Sequence, residues 1–157
     1  SHMLRLNQDS LGVEGVWSRQ GRNERQTDSL HAMISTPIID GDYVYGVDSY
    51  GQLRCLDATN GDRIWEDLTA VPSERWATIH MVRNGDKIWM FNDQGELIIS
   101  TLSPEGFNEI SRAKLINTTK GQLDRNDGVT WSHPAFANKH IFIRNDTELV
   151  CASLAAE

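Results

Sequence analysis

Residues 85–100, GDKIWMFNDQGELIIS, overlay residues 41–56, GDYVYGVDSYGQLRCL, without a gap. Gly85 falls on Gly41, Ile88 on Val44, Trp89 on Tyr45, Gly95 on Gly51 and Leu97 on Leu53. A third copy, SHPAFANKHIFIRNDTELVCAS at 132–153, sets Ser132 and Pro134 over Ser35 and Pro37. It then sets Ile141 and Phe142 over Val44 and Tyr45, and, after one deletion in the turn, Leu149 and Cys151 over Leu53 and Cys55. Such self-similarity makes each copy one small unit that buries its apolar faces only by stacking on its neighbours.

The first copy shows what the unit is. STPIID and YVYGVD flank Gly41-Asp42, a hairpin signal; QLRCLD follows Ser49-Tyr50-Gly51, and DRIWE follows Ala58-Thr59-Asn60-Gly61. Four short β-rich runs joined by tight turns predict an antiparallel meander, and no helical period competes. A repeat of about 44 residues built this way is a β-propeller blade. The expected fold class is all-β, a propeller of four-stranded antiparallel blades.

Blades are expected at about 31–67 and 76–116, with an incomplete one at about 129–155. Upstream, GVEGVWSRQ within residues 12–20 reads as an outer strand, its Val16-Trp17 aligning with Ile64-Trp65. FNEISRAKLI supplies the outer strand of the second blade, and the third has none. The chain thus holds material for three blades, whereas a ring closes with about four to eight. Two chains head to tail supply six. This predicts a homodimer in which the N-terminal outer strand of each chain completes the last blade of the other. The competing outcome is a monomer that folds the strand onto its own last blade. Ser1, His2 and Met3 read as the remnant of a cleaved expression tag, so the propeller domain is taken as 4–157.

A formal net charge of -7 argues against nucleic acid, which needs a Lys/Arg surplus. No apolar run approaches the roughly 20 residues of a membrane helix, so no membrane insertion is expected. Two cysteines, Cys55 and Cys151, are too few for a disulfide scaffold. The Gly-x-Ser-x-Gly elbow, the Gly-rich phosphate loop and His-Glu-x-x-His do not occur.

Gly41, Tyr45, Gly51, Leu53, Leu56, Asp57, Ala58, Thr59, Gly61 and Trp65 form the pattern Gly-Asp-x-Val-Tyr, Gly-x-Leu, Leu-Asp-Ala-Thr-x-Gly-x-x-x-Trp. This resembles the PQQ-like repeat of quinoprotein dehydrogenases and of the outer-membrane assembly lipoprotein that shares it, over roughly 31–157. The resemblance implies a periplasmic or extracytoplasmic setting in bacteria. It also implies structural roles: Trp17 and Trp65 pack between blades, each indole N–H finding a carbonyl of an adjacent blade, while Gly51, Asp57 and Gly61 shape turns.

In a quinoprotein dehydrogenase the resemblance further implies PQQ held by a vicinal disulfide, a tryptophan floor, Ca²⁺ with Glu, Asn and Asp ligands, and an Asp base. Here Cys55 and Cys151 sit in separate copies, Trp89 aligns with the core residue Tyr45, and Trp131 begins an inner strand. Neither a catalytic residue nor a cofactor is expected. The preferred reading is a non-catalytic propeller module acting as a binding or assembly scaffold. The alternative is a fragment of a PQQ-dependent oxidoreductase whose cofactor residues lie outside this sequence.

Two further features bear on function. The repeat sets Thr36, His80 and His133 at one position of the innermost strand. Two imidazoles there would suit a metal or an anion, but no further ligand motif accompanies them, and a wet polar channel is the plainer reading. His31 and His140 are expected at the surface. The polar segments GRNERQTDS at 21–29 and NTTKGQLDRNDGV at 117–129 both run from an outer strand to the next inner one. They should decorate one face, where a protein or polar small-molecule partner would bind.

Overall fold

Tight turns at matching places cut the chain into strands. Gly51 shows why the residue type matters there: its φ is +86°, and a Cβ would stand 3.1 Å from both Ala77 Cβ and Val71 Cγ1. In the third copy Asn138 and Lys139 take φ of 51° and 60° at the turn where earlier copies carry Gly41 and Gly85. These are the positive values of a two-residue hairpin turn. The computed structural model describes residues 1–155, with thirteen strands and no helix among them.

The strands are β1 (His2–Leu6), β2 (Val13–Ser18), β3 (Ile38–Asp40), β4 (Tyr43–Val47), β5 (Leu53–Asp57), β6 (Arg63–Asp67) and β7 (Ile79–Asn84). They continue as β8 (Lys87–Asn92), β9 (Glu96–Ser103), β10 (Gly106–Lys114), β11 (Ala135–Ala137), β12 (His140–Arg144) and β13 (Leu149–Ser153). They make antiparallel sheets β3-β4-β5-β6, β7-β8-β9-β10 and β11-β12-β13, preceded by the hairpin β1-β2. The all-β class and the blade meander of the repeat are what the chain adopts.

Each seam between neighbours has its own core. Leu30, Val44 and Leu56, with Met3, close the hairpin onto the first blade. Val47, Leu53, Ile79, Met90 and Ile98 join the first blade to the second. Phe91, Leu97, Ile141 and Ile143 join the second to the third. Strand residues alternate between the two seams, so each blade is apolar on both faces and stable only in a stack.

The N-terminus differs from expectation. Its first strand reaches back to His2, so the residues read as a tag remnant lie within the folded unit: Met3 packs on the first seam, and the Ser1 ammonium donates to Arg19 O at 2.8 Å. The outer strand expected alone at 12–20 is half of a hairpin, with Met3 opposite Trp17 and Leu6 opposite Val13. Reading Ser1, His2 and Met3 as a tag remnant takes two of the five residues out of His2–Leu6, so this strand does not show in the sequence. Among the described residues the hairpin seats on the first blade and pairs with no strand of the third. No helix among the described residues is long and apolar enough to cross a membrane.

Candidate functional site

Two tryptophans bridge the seams. Trp17 Nε1 donates to Ala58 O at 2.8 Å, and Trp65 Nε1 donates to Ser103 O at 2.9 Å, each carbonyl belonging to the following blade. Gly61, at φ +79°, lies under the Trp17 ring: a Cβ would come 2.9 Å from Cε3. Asp57 accepts from Thr59 N at 2.7 Å and Thr59 Oγ1 at 2.6 Å, which holds its carboxyl below the usual range and fixes the turn that receives Trp17.

β7 and the segment leading into β11 bring His80 and His133 together. Their ring centroids lie 3.7 Å apart at 37°. His80 is buried, and its Nε2 is 3.1 Å from Trp131 O. A carbonyl only accepts, so the ring carries its proton at Nε2, and Nδ1 is left as a buried bare nitrogen. Burial first, and the neighbouring His133 second, push the imidazole down to about 4. Thr36 is exposed and does not join the pair. Among the described residues no group of three His, Cys, Asp or Glu is placed to hold a metal ion. His31, expected at the surface, is half-buried because Asp48 Oδ1 draws in its backbone N–H at 2.6 Å.

In a meander, the segment entering the first strand and the turn between the second and third strands lie at the same end. The connecting segments 21–29, 72–76 and 117–129 therefore gather with Tyr50 on one face. There they fuse into an ionic layer. Glu24 receives Arg75 at 2.8 Å and the Tyr50 hydroxyl at 3.0 Å, contacts that hold its carboxyl below the usual range. Arg125 pairs with Glu74 at 3.1 Å and with the fully buried Asp93 at 2.7 Å, and donates to Arg75 O. Arg75 stacks 4.3 Å over the Trp76 ring, and Trp76 itself has φ 65°. A bulky residue in that region is a strained outlier. A polar recess of 520 Å³, lined by Arg22, Arg25, Thr27, Gln52 and Arg54 among others, opens beside this layer.

Pattern reading missed the groups that seat these segments. Arg54 is buried in β5 and bonds Asp48 (2.8 Å), Glu66 (2.9 Å), Thr27 (2.7 Å) and Ser29 O (2.6 Å). The sign of it was an arginine inside the apolar run LRCL. Asp48, Asn92 and Asn145 occupy one column of the repeat. Asp48 holds His31 N, Asn92 donates to Ala70 O at 3.1 Å, and Asn145 donates to Asn117 O at 3.0 Å. Each ties the incoming segment to its own blade, and the recurring Asp or Asn was legible in the alignment.

The chain's two cysteines do not make the vicinal disulfide of a PQQ site. Cys55 is buried in β5 and Cys151 exposed in β13, in different sheets, so they form no vicinal pair. Trp89 packs edge-on against Phe136 at 5.1 Å, and Trp76 is covered by Arg75.

Stacked four-stranded meanders, pinned by outer-strand tryptophans, define a segment of a β-propeller of PQQ-like blades. The family model described as outer membrane protein assembly factor BamB matches residues 2–113, and the chain belongs to that family. Among solved structures, the crystal structure of BamB from Moraxella catarrhalis is similar, with 17% identity and a TM-score of 0.47. The match covers 76% of this chain and 33% of that one, so the chain spans about a third of its length. No curated protein matches the chain.

Proposed function

We propose that this chain is a non-catalytic propeller module that binds a protein partner through its loop face. The observation that carries the reading is the ionic layer Glu24–Arg75 and Glu74–Arg125–Asp93, which joins connecting segments of different blades into one preorganised surface. Arg, Tyr and Trp side chains concentrate there, the types that dominate binding energy at protein interfaces. The family's description names outer membrane protein assembly. It supports a bacterial, extracytoplasmic role as an assembly scaffold.

A homodimer belongs to the same reading. Among the described residues β13 pairs on one side only, and Leu149 on it is 72% exposed. The hairpin β1-β2 of a second copy, rather than a lone strand, is the unit that would meet this edge, because β1 already occupies one side of β2.

Photocrosslinking tests the scaffold reading. A photoreactive side chain at Gln20 or Asp124, on the loop face, should yield one discrete protein adduct in the native host. The same group at Asp42, on the opposite face, should yield none. Equal labelling from Asp42 overturns the reading. So does stoichiometric binding of PQQ with Ca²⁺ by the purified chain, which favours the oxidoreductase alternative.

A further inference from the structure

Every residue lining the polar recess of 520 Å³ lies between positions 20 and 66, in the segment joining β2 to β3, the turn before β5, and strands β5 and β6. Its outer wall is a closed loop. Arg22 N–H donates to Gln26 O at 2.8 Å, and Asn23 Oδ1 accepts from the backbone N–H groups of Arg25 at 2.9 Å and Gln26 at 3.0 Å. A Cβ on Gly21 would stand 2.5 Å from Gln26 O, so the loop closes this tightly only on glycine. Arg22 and Arg25 are thereby carried on a preset loop, which lowers the entropy cost of binding through them.

The polar groups of the recess are unevenly matched. Arg22, Arg25, Arg54 and Arg63 line it against the carboxylates Asp28 and Glu66. Both carboxylates are already answered: Glu66 accepts from Arg54 at 2.9 Å and Arg63 at 2.8 Å, and Asp28 pairs with Arg19 at 3.5 Å. Glu24, the sequence neighbour of Arg25, is taken by Arg75 and Tyr50. Arg22 and Arg25 belong to none of these ion pairs, nor to any other among the described residues. Arg25 gives Nε to the Tyr50 hydroxyl at 3.2 Å, which leaves Nη1 and Nη2 as donors. Behind them Arg54, 2% exposed, uses Nε on Glu66 and Nη1 on Asp48, Thr27 and Ser29 O; Nη2 makes none of these bonds. Gln52 accepts Tyr50 N–H through Oε1 at 3.1 Å, which leaves its NH₂ group as a donor. The walls thus keep cationic and amide donors without an acceptor, and a buried donor left so is costly.

We propose that this recess receives the carboxylates of an acidic segment of the protein partner, an inference that rests on the loop-face reading above. One carboxylate reaches Nη2 of Arg54 and the Gln52 amide at the floor, and a neighbouring one lies between Arg22 and Arg25 at the exposed rim. Bonds from a guanidinium to a carboxylate are among the strong ones, and Asp48 holds the buried arginine in place to give them. The rim arginines meet the segment first and set its orientation. A recess of 520 Å³ is roomier than a lone carboxylate or phosphate needs and takes consecutive side chains of a segment laid across it.

The probe is acetyl-Asp-Glu-Asp-Glu-amide, titrated into the ¹⁵N-labelled full chain at fixed ionic strength and followed by NMR. Saturable shifts are expected at the backbone amides of Gly21, Arg22 and Gln52 and at the Gln52 side-chain amide, and none with acetyl-Asn-Gln-Asn-Gln-amide. Arg22→Glu with Arg25→Glu should weaken binding at least tenfold. Arg5→Glu with Lys139→Glu, the same change of net charge at residues outside the recess, should leave it within about twofold. In the native host the photocrosslink from Asp124 should be lost in the first double variant and kept in the second. The inference is overturned if the acidic peptide does not bind, if the amide peptide or inorganic phosphate binds as tightly, or if both double variants weaken binding equally. It is also overturned if the Asp124 adduct survives reversal of Arg22 and Arg25, an outcome that leaves the loop-face reading intact. Absence of any adduct in the native chain fells the loop-face reading instead, and the peptide titration then decides the recess.

Discussion

The indole of Trp65 leaves its own blade and donates a 2.9 Å hydrogen bond to the carbonyl of Ser103 in the next. This contact crosses the largest apolar seam of the molecule, with Leu102 and Phe107 packed around it. Trp65→Ala should therefore cost about 3 kcal/mol, the lower end of large aromatic truncations because the ring is partly exposed. Trp76→Ala removes only the stack with Arg75, worth about 0.5–1 kcal/mol at an exposed site. Urea denaturation of both variants checks this, and equal losses would contradict the assignment of Trp65 as the anchor.

Stability should fall as pH drops from 6.5 to 4. The buried His80 imidazole is pushed down to about 4 from an ordinary 6.5, so in this window the unfolded chain binds the proton and the folded chain does not. Stability from keeping His80 neutral is fully present above 6.5 and lost progressively on acidification to about 4. At about 1.4 kcal/mol per tenfold change in proton affinity, the loss amounts to about 3 kcal/mol. Carboxylates titrate in the same range, so the measurement is the difference in denaturation profile between the native chain and His80→Phe. Parallel profiles would refute the assignment.

Arg54→Ala should destabilise by about 3–5 kcal/mol, because Asp48 is then left buried without its cation. The same arginine holds Thr27 and Ser29 O, so the segment 21–29 should also loosen. Trypsin cleavage at Arg22 and Arg25 reports this directly: rapid nicking is expected in the variant and slow nicking in the native chain.

Cys151 should react with a thiol reagent in the folded protein and Cys55 should not. Cys55 is fully buried and burial pushes its thiol up, whereas Cys151 is exposed. One thiol per chain titrates natively and two after denaturation. Two reactive thiols in the folded state would mean that β5 is open to solvent.

Light scattering should give the mass of a dimer for the full chain and of a monomer once residues 1–20 are removed. A stable monomer in the first case refutes the homodimer.

What was legible in the sequence was local. Turn chemistry at Gly41-Asp42 and Gly51, two-residue alternation in the strands, and the fixed spacing of the copies follow from neighbours within a few residues. They specify the meander and hence the propeller blade. The pairing of His80 with His133 in one column was legible for the same reason, since the repeat carries equivalent positions to equivalent places. The tertiary structure decided whatever depends on contacts across a seam. Arg54 is buried because Asp48 and Glu66 converge on it. The hairpin extends to His2 because Met3 finds Leu30, Val44 and Leu56. Ser111 faces Ile99 because the β9-β10 hairpin is longer than the β5-β6 hairpin, both carrying the same bulge, a displacement that an ungapped overlay cannot carry. Local pattern specifies a blade, but burial and charge pairing between blades are non-local and arise only when the blades stack.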